Sequence, residues 1–101
     1  MKNDKPYLDP TLSLAKLGDM LNLSSKEVSQ MINQIKGINY SKYVNQYRIN
    51  EAKTRLTSEK YAHYTIAAIA YDCGFNSISS FNAIFKKNEG LTAKTYRSSN
   101  L

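Results

Sequence analysis

One pattern occurs twice in this chain of 101 residues, and a duplicated pattern restricts the fold more than any single motif does. Leu14, Leu17, Gly18, Leu21, Asn22 and Leu23 recur 52 residues later as Ile66, Ile69, Ala70, Cys73, Gly74 and Phe75. The second copy then carries one extra residue, so Val28 and Ile32 correspond to Phe81 and Phe85 at a spacing of 53. In each copy an apolar residue opens a helical stretch, and a small residue, Gly18 or Ala70, permits close approach of a second helix. Asn22 or Gly74, residue types that tolerate positive φ, then marks a sharp turn before a second amphipathic stretch. The spacing predicts two helix-turn-helix units.

A chain of this length buries roughly two-thirds of its unfolded surface, enough for a modest core without staples. The single cysteine, Cys73, excludes an internal disulfide and fits a reducing, cytoplasmic setting. No apolar run approaches a membrane span, and the opening MKNDKPYLDP lacks the apolar core of a signal peptide. Fourteen Lys and Arg against eight Asp and Glu give a net charge of +6 and a pI near 9.5, a balance that favours a polyanionic partner. Residues 1–50 and 51–101 each carry seven basic and four acidic side chains, which suits two similar docking units better than one basic tail.

The segment 1–12 is expected to be extended or irregular, because Pro6 and Pro10 discourage continuous helix. Ser13 is expected to cap a helix from Leu14 to about Leu21, with Leu14, Leu17, Met20 and Leu21 on its apolar face. Ser24 and Glu27 form a capping-box pattern that opens a helix to about Lys36. Its expected buried stripe is Val28, Met31, Ile32 and Ile35, and Gly37 supplies the stop. Ser41 is expected to cap a long central helix reaching about Thr57. Its apolar residues Tyr43, Val44, Tyr47, Ile49, Ala52 and Leu56 spread over more than one face, as in a helix packed on both sides.

Residues 58–64 look like a loop. Thr65 should cap the next helix, which ends before Gly74, and Asn76 or Ser77 should cap its successor, buried through Phe81, Ile84 and Phe85 to about Asn88. Thr92 opens a short closing helix containing Tyr96. No sustained apolar/polar alternation occurs, so the expected class is all-α. The expected architecture is six to seven helices in two homeodomain-like units. A first unit within 1–40, a central helix over 41–57 and a second unit over 58–101 would make one compact domain. Leu17, Val28, Ile32, Val44, Ile69, Ala70, Phe75, Phe81 and Phe85 are its candidate core.

Removing the buried stripes leaves polar faces on the second helix of each unit. The first exposes Lys26, Ser29, Gln30, Asn33 and Gln34; the second exposes Ser79, Ser80, Asn82, Ala83, Lys86 and Lys87, with Ile78 near its start. Amides and hydroxyls exchange hydrogen bonds with base edges, Gln and Asn pair bidentately with adenine, and short apolar groups suit a thymine methyl. A single polar face is ordinarily just solvated; two of them after the same turn grammar point to double-stranded DNA. Lys36, Lys42, Lys86, Lys87, Lys94 and Arg97, with the helix starts at Ser25, Ser41, Ser77 and Thr92, are placed to meet backbone phosphate.

The remaining chemistry is sparse. Arg48 lies among Tyr43, Val44, Tyr47 and Ala52, so a structural role is expected, pairing with Asp72, Glu51 or backbone carbonyls. His63 has no second ligand at metal spacing, and Asp19 and Asp72 read as surface positions. Neither a catalytic site nor a cofactor or metal site is expected. Two competitors are a helical module docking an acidic protein partner, such as RNA polymerase, and an enzyme using Cys73 as a DNA-alkyl acceptor. The second requires an accessible thiol of depressed pKa.

The chain resembles the DNA-binding domain of AraC/XylS-type bacterial transcription regulators. The residues that carry the resemblance are Ile69-Ala70, Gly74-Phe75, Ser77, Phe81-Asn82, Phe85-Lys86-Lys87, Gly90, Thr92 and Tyr96-Arg97, together with Tyr43, Asn45, Arg48-Ile49 and Ala52-Lys53 of the central helix. The resemblance covers nearly all of residues 7–97. It implies about seven helices, with two reading helices entering successive major grooves of one DNA face. By position it implies base reading by Lys26, Ser29, Gln30 and Asn33 in the first unit and by Ile78, Ser79, Asn82 and Ala83 in the second. Three departures stand out. The family's N-terminal helix is represented at most by its end, so a fragment of a longer regulator is expected, with oligomerisation, if any, in absent regions. Ala93 replaces a usual proline, and Ser79 and Ala83 are short, which shifts the second unit toward phosphate contact and shape readout.

Overall fold

Side-chain caps decide where each helix of this chain begins. The computed structural model describes residues 5–99, apart from the side chain of Lys36, and among them contains six α-helices, two short 3₁₀ turns and no strand. α1 spans Leu14–Leu21, α2 Ser25–Lys36, α3 Tyr40–Leu56, α4 Ile66–Asp72, α5 Ile78–Glu89 and α6 Ala93–Ser99. Ser13 Oγ accepts from the Lys16 amide at 3.2 Å, Thr65 Oγ1 from Ala68 at 3.0 Å and Ser77 Oγ from Ser80 at 3.0 Å. Ser24 and Glu27 close the capping box with two reciprocal bonds of 3.1 Å. Each such cap satisfies backbone donors that the first turn leaves free.

Two boundaries differ from expectation. Asn39, not Ser41, caps α3: its Oδ1 takes the Lys42 amide at 2.9 Å, so the helix starts at Tyr40 and Ser41 lies within it. Asn caps as well as Ser does, and the residue after Asn39 already continues the helix. The stretch 58–64 is not all loop, since Glu59–Tyr61 forms a 3₁₀ turn capped by Ser58. Likewise Pro6–Leu8 is a 3₁₀ turn with Pro6 at its start, where a missing N–H costs nothing, and Tyr7 is buried.

Both unit turns follow the repeat. Asn22 has φ 58° and Gly74 has φ 100°, the left-handed region that Asn and Gly enter most readily. A Cβ on Gly18 would collide with the Leu23 carbonyl, which shows why the small residue sits there.

Packing divides α3 between two clusters. Its N-terminal Tyr40 and Tyr43 border a core of Leu17, Val28 and Ile32, with Leu12, Leu14, Leu23 and Ile38 around it. Its C-terminal Ile49, Ala52 and Leu56 join Ile69, Ala70, Cys73, Phe75, Phe81, Phe85 and Ala93 in a larger core. Val44, on the same helix, is also buried. The expected stripes of the first unit are too broad. Met20 (55% exposed) and Leu21 (47%) of α1 and Met31 (37%) and Ile35 (70%) of α2 stay open to solvent, because α1 buries only the line through Leu17 and α2 only that of Val28 and Ile32. In α5, Ile84 is half-buried while Phe81 and Phe85 are fully enclosed.

Candidate nucleic-acid interface

The two outward faces emerge from the helices just described. On α2, Ser25, Lys26, Ser29, Gln30 and Asn33 are all exposed, as is Gln34. The capping box holds the start of α2, and Val28 and Ile32, buried on the opposite side, fix its rotation about its axis. On α5, Ser79, Asn82, Ala83, Lys86 and Lys87 are exposed, and fully buried Phe81 and Phe85 fix the rotation in the same way. Ile78 is half-buried against the larger core, so only part of it faces outward.

Not every candidate is equally free. The Ser77 hydroxyl already caps α5, leaving the first-turn amides as that helix's available donors. Arg97 is committed elsewhere: its guanidinium donates to the carbonyls of Tyr64 at 2.7 Å, Tyr61 at 2.8 Å and Ala62 at 3.2 Å. It clamps the 3₁₀ turn at Glu59–Tyr61 onto α6, in place of the phosphate contact expected of it. The Lys36 side chain lies outside the described residues. Lys42 is exposed and lines a cleft with Lys87, bringing a cation from the start of α3 beside one from the end of α5. Asn39, Ser41, Asn45 and Asn88 share that cleft. Sequence reasoning did not single out Asn45 and Asn88 as site residues, because their juxtaposition depends on how α5 crosses α3.

Arg48 binds neither Glu51 nor Asp72. Its Nε donates to the Tyr7 carbonyl at 2.6 Å and its second terminal nitrogen to the Asp9 carbonyl at 2.9 Å. Asp72 is exposed, and Glu51 accepts from Lys5 at 3.0 Å and from Arg55 Nε at 2.9 Å. Burial alone would raise the Glu51 carboxyl, but these two partners hold it below its ordinary value. On the same helix, burial first and the neighbouring Tyr47 hydroxyl second push the Tyr43 hydroxyl up to about 12.

The alkyl-acceptor reading of Cys73 does not survive. The thiol is fully enclosed, and burial pushes it up to about 12, the opposite of an activated nucleophile. His63 is exposed, and among the described residues no group of three or more His, Cys, Asp or Glu is placed to hold a metal ion. No described helix is long and apolar enough to cross a membrane.

Comparison with known proteins agrees with this geometry. Residues 17–99 match the family described as "Helix-turn-helix domain". An uncharacterized HTH-type transcriptional regulator of Staphylococcus aureus strain MSSA476 is 35% identical over 86 residues, covering 85% of this chain and 11% of that protein. The HTH-type transcriptional activator RhaR of Yersinia pseudotuberculosis is 32% identical over 91 residues, covering 84% of this chain and 30% of its own length. The chain therefore spans only a minor part of the curated relatives it matches. Among solved structures, the C-terminal domain of AraT, a response regulator from Geobacillus stearothermophilus, superimposes with a TM-score of 0.81 at 28% identity, covering 96% of this chain and 78% of that one.

Proposed function

Because the chain belongs to the AraC-type helix-turn-helix family of DNA-binding transcription regulators, we propose that it reads double-stranded DNA with α2 and α5 in successive major grooves. Lys26, Ser29, Gln30 and Asn33 read bases in the first groove; Ile78, Ser79, Asn82 and Ala83 face the second. Ser25, Lys36, Lys42, Lys86 and Lys87, with the first-turn amides after Ser77, meet phosphate. The observation that carries the reading is the pair of polar faces, each on the second helix of a turn held at positive φ, built on a single helix shared by both cores.

Phosphate contacts give affinity and salt dependence, whereas the base contacts give discrimination. The second unit offers less discrimination, since Ala83 presents only a methyl and Ser79 a short hydroxyl. Neither catalysis nor a cofactor is part of this proposal, and the protein acts by occupying a site. In a full-length regulator the same domain would deliver any signal-sensing module to that site.

Selection of bound sequences from random duplex DNA at two salt concentrations tests the reading. The expected product is a bipartite motif with half-sites about 10 base pairs apart, enriched more strongly on the side read by α2. Enrichment of no sequence at either salt would refute it.

A further inference from the structure

The segment before α1 belongs, by its contacts, to both halves of the molecule. Tyr7 is 5% exposed and stacks on Tyr47 of α3 at 5.3 Å between ring centroids. Arg48 holds the Tyr7 and Asp9 carbonyls from the same helix, and Lys5 pairs with Glu51. The segment then reaches the second unit. A Cβ on Gly74 would strike the Tyr7 carbonyl and come within 2.7 Å of Arg48 Nε, so the turn of that unit is packed directly against this segment. Asn76, just past the turn, donates to the Pro10 carbonyl over a long 3.4 Å. At its other end, Asp9 Oδ1 takes the Thr11 amide and hydroxyl at 2.8 and 2.7 Å, Lys16 of α1 donates to the Thr11 hydroxyl at 2.6 Å, and Ser13 caps α1.

We propose that residues 5–12 are a brace, clamped by Arg48, that fixes the placement of one reading helix relative to the other, which makes Tyr7, Asp9 and Arg48 positioning residues for bipartite DNA. A single helix of 17 residues joins the units, so without this segment their relative placement would rest on side-chain packing along that one helix. The brace adds a second connection, from the start of α1 to the turn between α4 and α5, and two connections suppress rocking that one permits. Rigid spacing raises the effective concentration of the second reading helix at its half-site once the first has docked. The inference rests on the two-groove reading for its consequence in binding, but not for its geometry.

Two variants and two measurements separate these levels. Arg48→Met removes both donors yet keeps an aliphatic stem; the exposed pair Asp9→Ala/Asn76→Ala loosens both ends of the brace without touching its buried centre. Each is compared with the unaltered chain on isolated half-sites and on bipartite duplexes with one base pair inserted or deleted, a change that turns one half-site by about 35°. The expected result is half-site affinity within about twofold, a loss of about tenfold on the correctly spaced duplex and a smaller penalty for altered spacing. Distances between nitroxides at Gln34→Cys on α2 and Lys86→Cys on α5, measured without DNA, should broaden in both variants; Cys73, being enclosed, stays unlabelled. Unchanged distance distributions together with unchanged spacing preference would overturn the brace. If the unaltered chain shows no spacing preference, the two-groove reading fails, while the distances still decide whether the brace exists. Should Arg48→Met fail to fold, the exposed pair still tests both the spacing preference and the distances.

Discussion

The first and second units share a turn grammar but not an anchorage. The second is fused to the spine: Ile49, Ala52 and Leu56 of α3 lie in one cluster with Ile69, Ala70, Phe75, Phe81 and Phe85. An aromatic ladder runs through it, from Phe75 to Phe81 at 5.1 Å, Phe81 to Phe85 at 5.6 Å and Phe85 to Tyr96 at 5.5 Å. The first unit closes over a smaller buried core of Leu17, Val28 and Ile32, bordered by partly buried side chains, and leaves Met20, Leu21, Met31 and Ile35 in solvent. Duplicated sequence therefore specifies a local shape, while the area each copy buries against α3 sets its stability. The better-anchored unit also carries the shorter reading side chains, so rigidity and base chemistry are divided between the copies.

The largest test of that contrast is truncation of the two cores. Phe81→Ala and Phe85→Ala each remove a fully enclosed ring, with an expected cost of about 3–5 kcal/mol and cooperative loss of α4 to α6 in thermal melts. Leu17→Ala removes less from a thinner core and is expected to cost about 2–3 kcal/mol, felt mainly in α1 and α2. Native-state hydrogen exchange locates the loss. In the unaltered chain, α1 and α2 amides should open at lower free energy than those of α4 and α5. If the α1 and α2 amides exchange only on global unfolding, the contrast in anchorage is wrong.

The two turns sharpen the comparison at smaller magnitude. Gly74→Ala places a side chain at φ 100° against the Tyr7 carbonyl and Arg48, with an expected cost of about 1–3 kcal/mol or more. Asn22→Ala, at an exposed position, forces the ordinary left-handed penalty at φ 58°, about 1–2 kcal/mol. Equal effects in chemical denaturation would mean that the brace adds nothing at Gly74.

Much of this fold could be read from the chain because caps and turns are local. Ser13, Ser24, Thr65 and Ser77 announce helix starts through bonds three residues long, and Asn22 and Gly74 announce their turns through backbone conformation. What stayed hidden was long-range. Nothing near Tyr7 in sequence reveals that its carbonyl is held by Arg48, 41 residues away. The partner of Arg48 was open among two acids and the backbone, and only packing of the 5–12 segment decided it. Arg97 looked like a phosphate contact because a basic residue near a helix end is usually free; here loop carbonyls take it up. Periodicity placed Met31 and Ile35 on α2's apolar side but could not show that α1 and α3 cover only part of it.

Reading side chains should affect selectivity without affecting fold, and more so in the first unit. Gln30→Ala and Asn33→Ala are each expected to relax base discrimination by about 1–3 kcal/mol at one half-site, with unchanged melting. Asn82→Ala should do the same at the other half-site, whereas Ser79→Ala should change little. Competition binding against single-base variants of the selected motif measures this. Uniform loss of affinity across all sequences would reassign these residues to phosphate contact.

The smallest effect concerns acid, and it should fall on the spine and brace, not on the first unit. Glu51 is held below its ordinary 4.5 by Arg55 and Lys5, despite the burial that opposes this. A carboxylate depressed in the folded state gives stability that is fully present above its unfolded value and disappears as pH falls through its folded value. Melting temperature should therefore hold from neutral pH down toward the ordinary carboxylate value of 4.5 and decline below it. Glu51→Gln should lower it at neutral pH and shrink the decline, by up to about 1 kcal/mol, because Lys5 remains half in solvent. Protection of α3 amides around Glu51, corrected for the intrinsic pH dependence of exchange, should fall in acid before that of α1 and α2. If α1 and α2 loosen first, the weaker anchorage of the first unit outweighs this ion-pair network even where the network is titrated, and the order of opening is set by buried area alone.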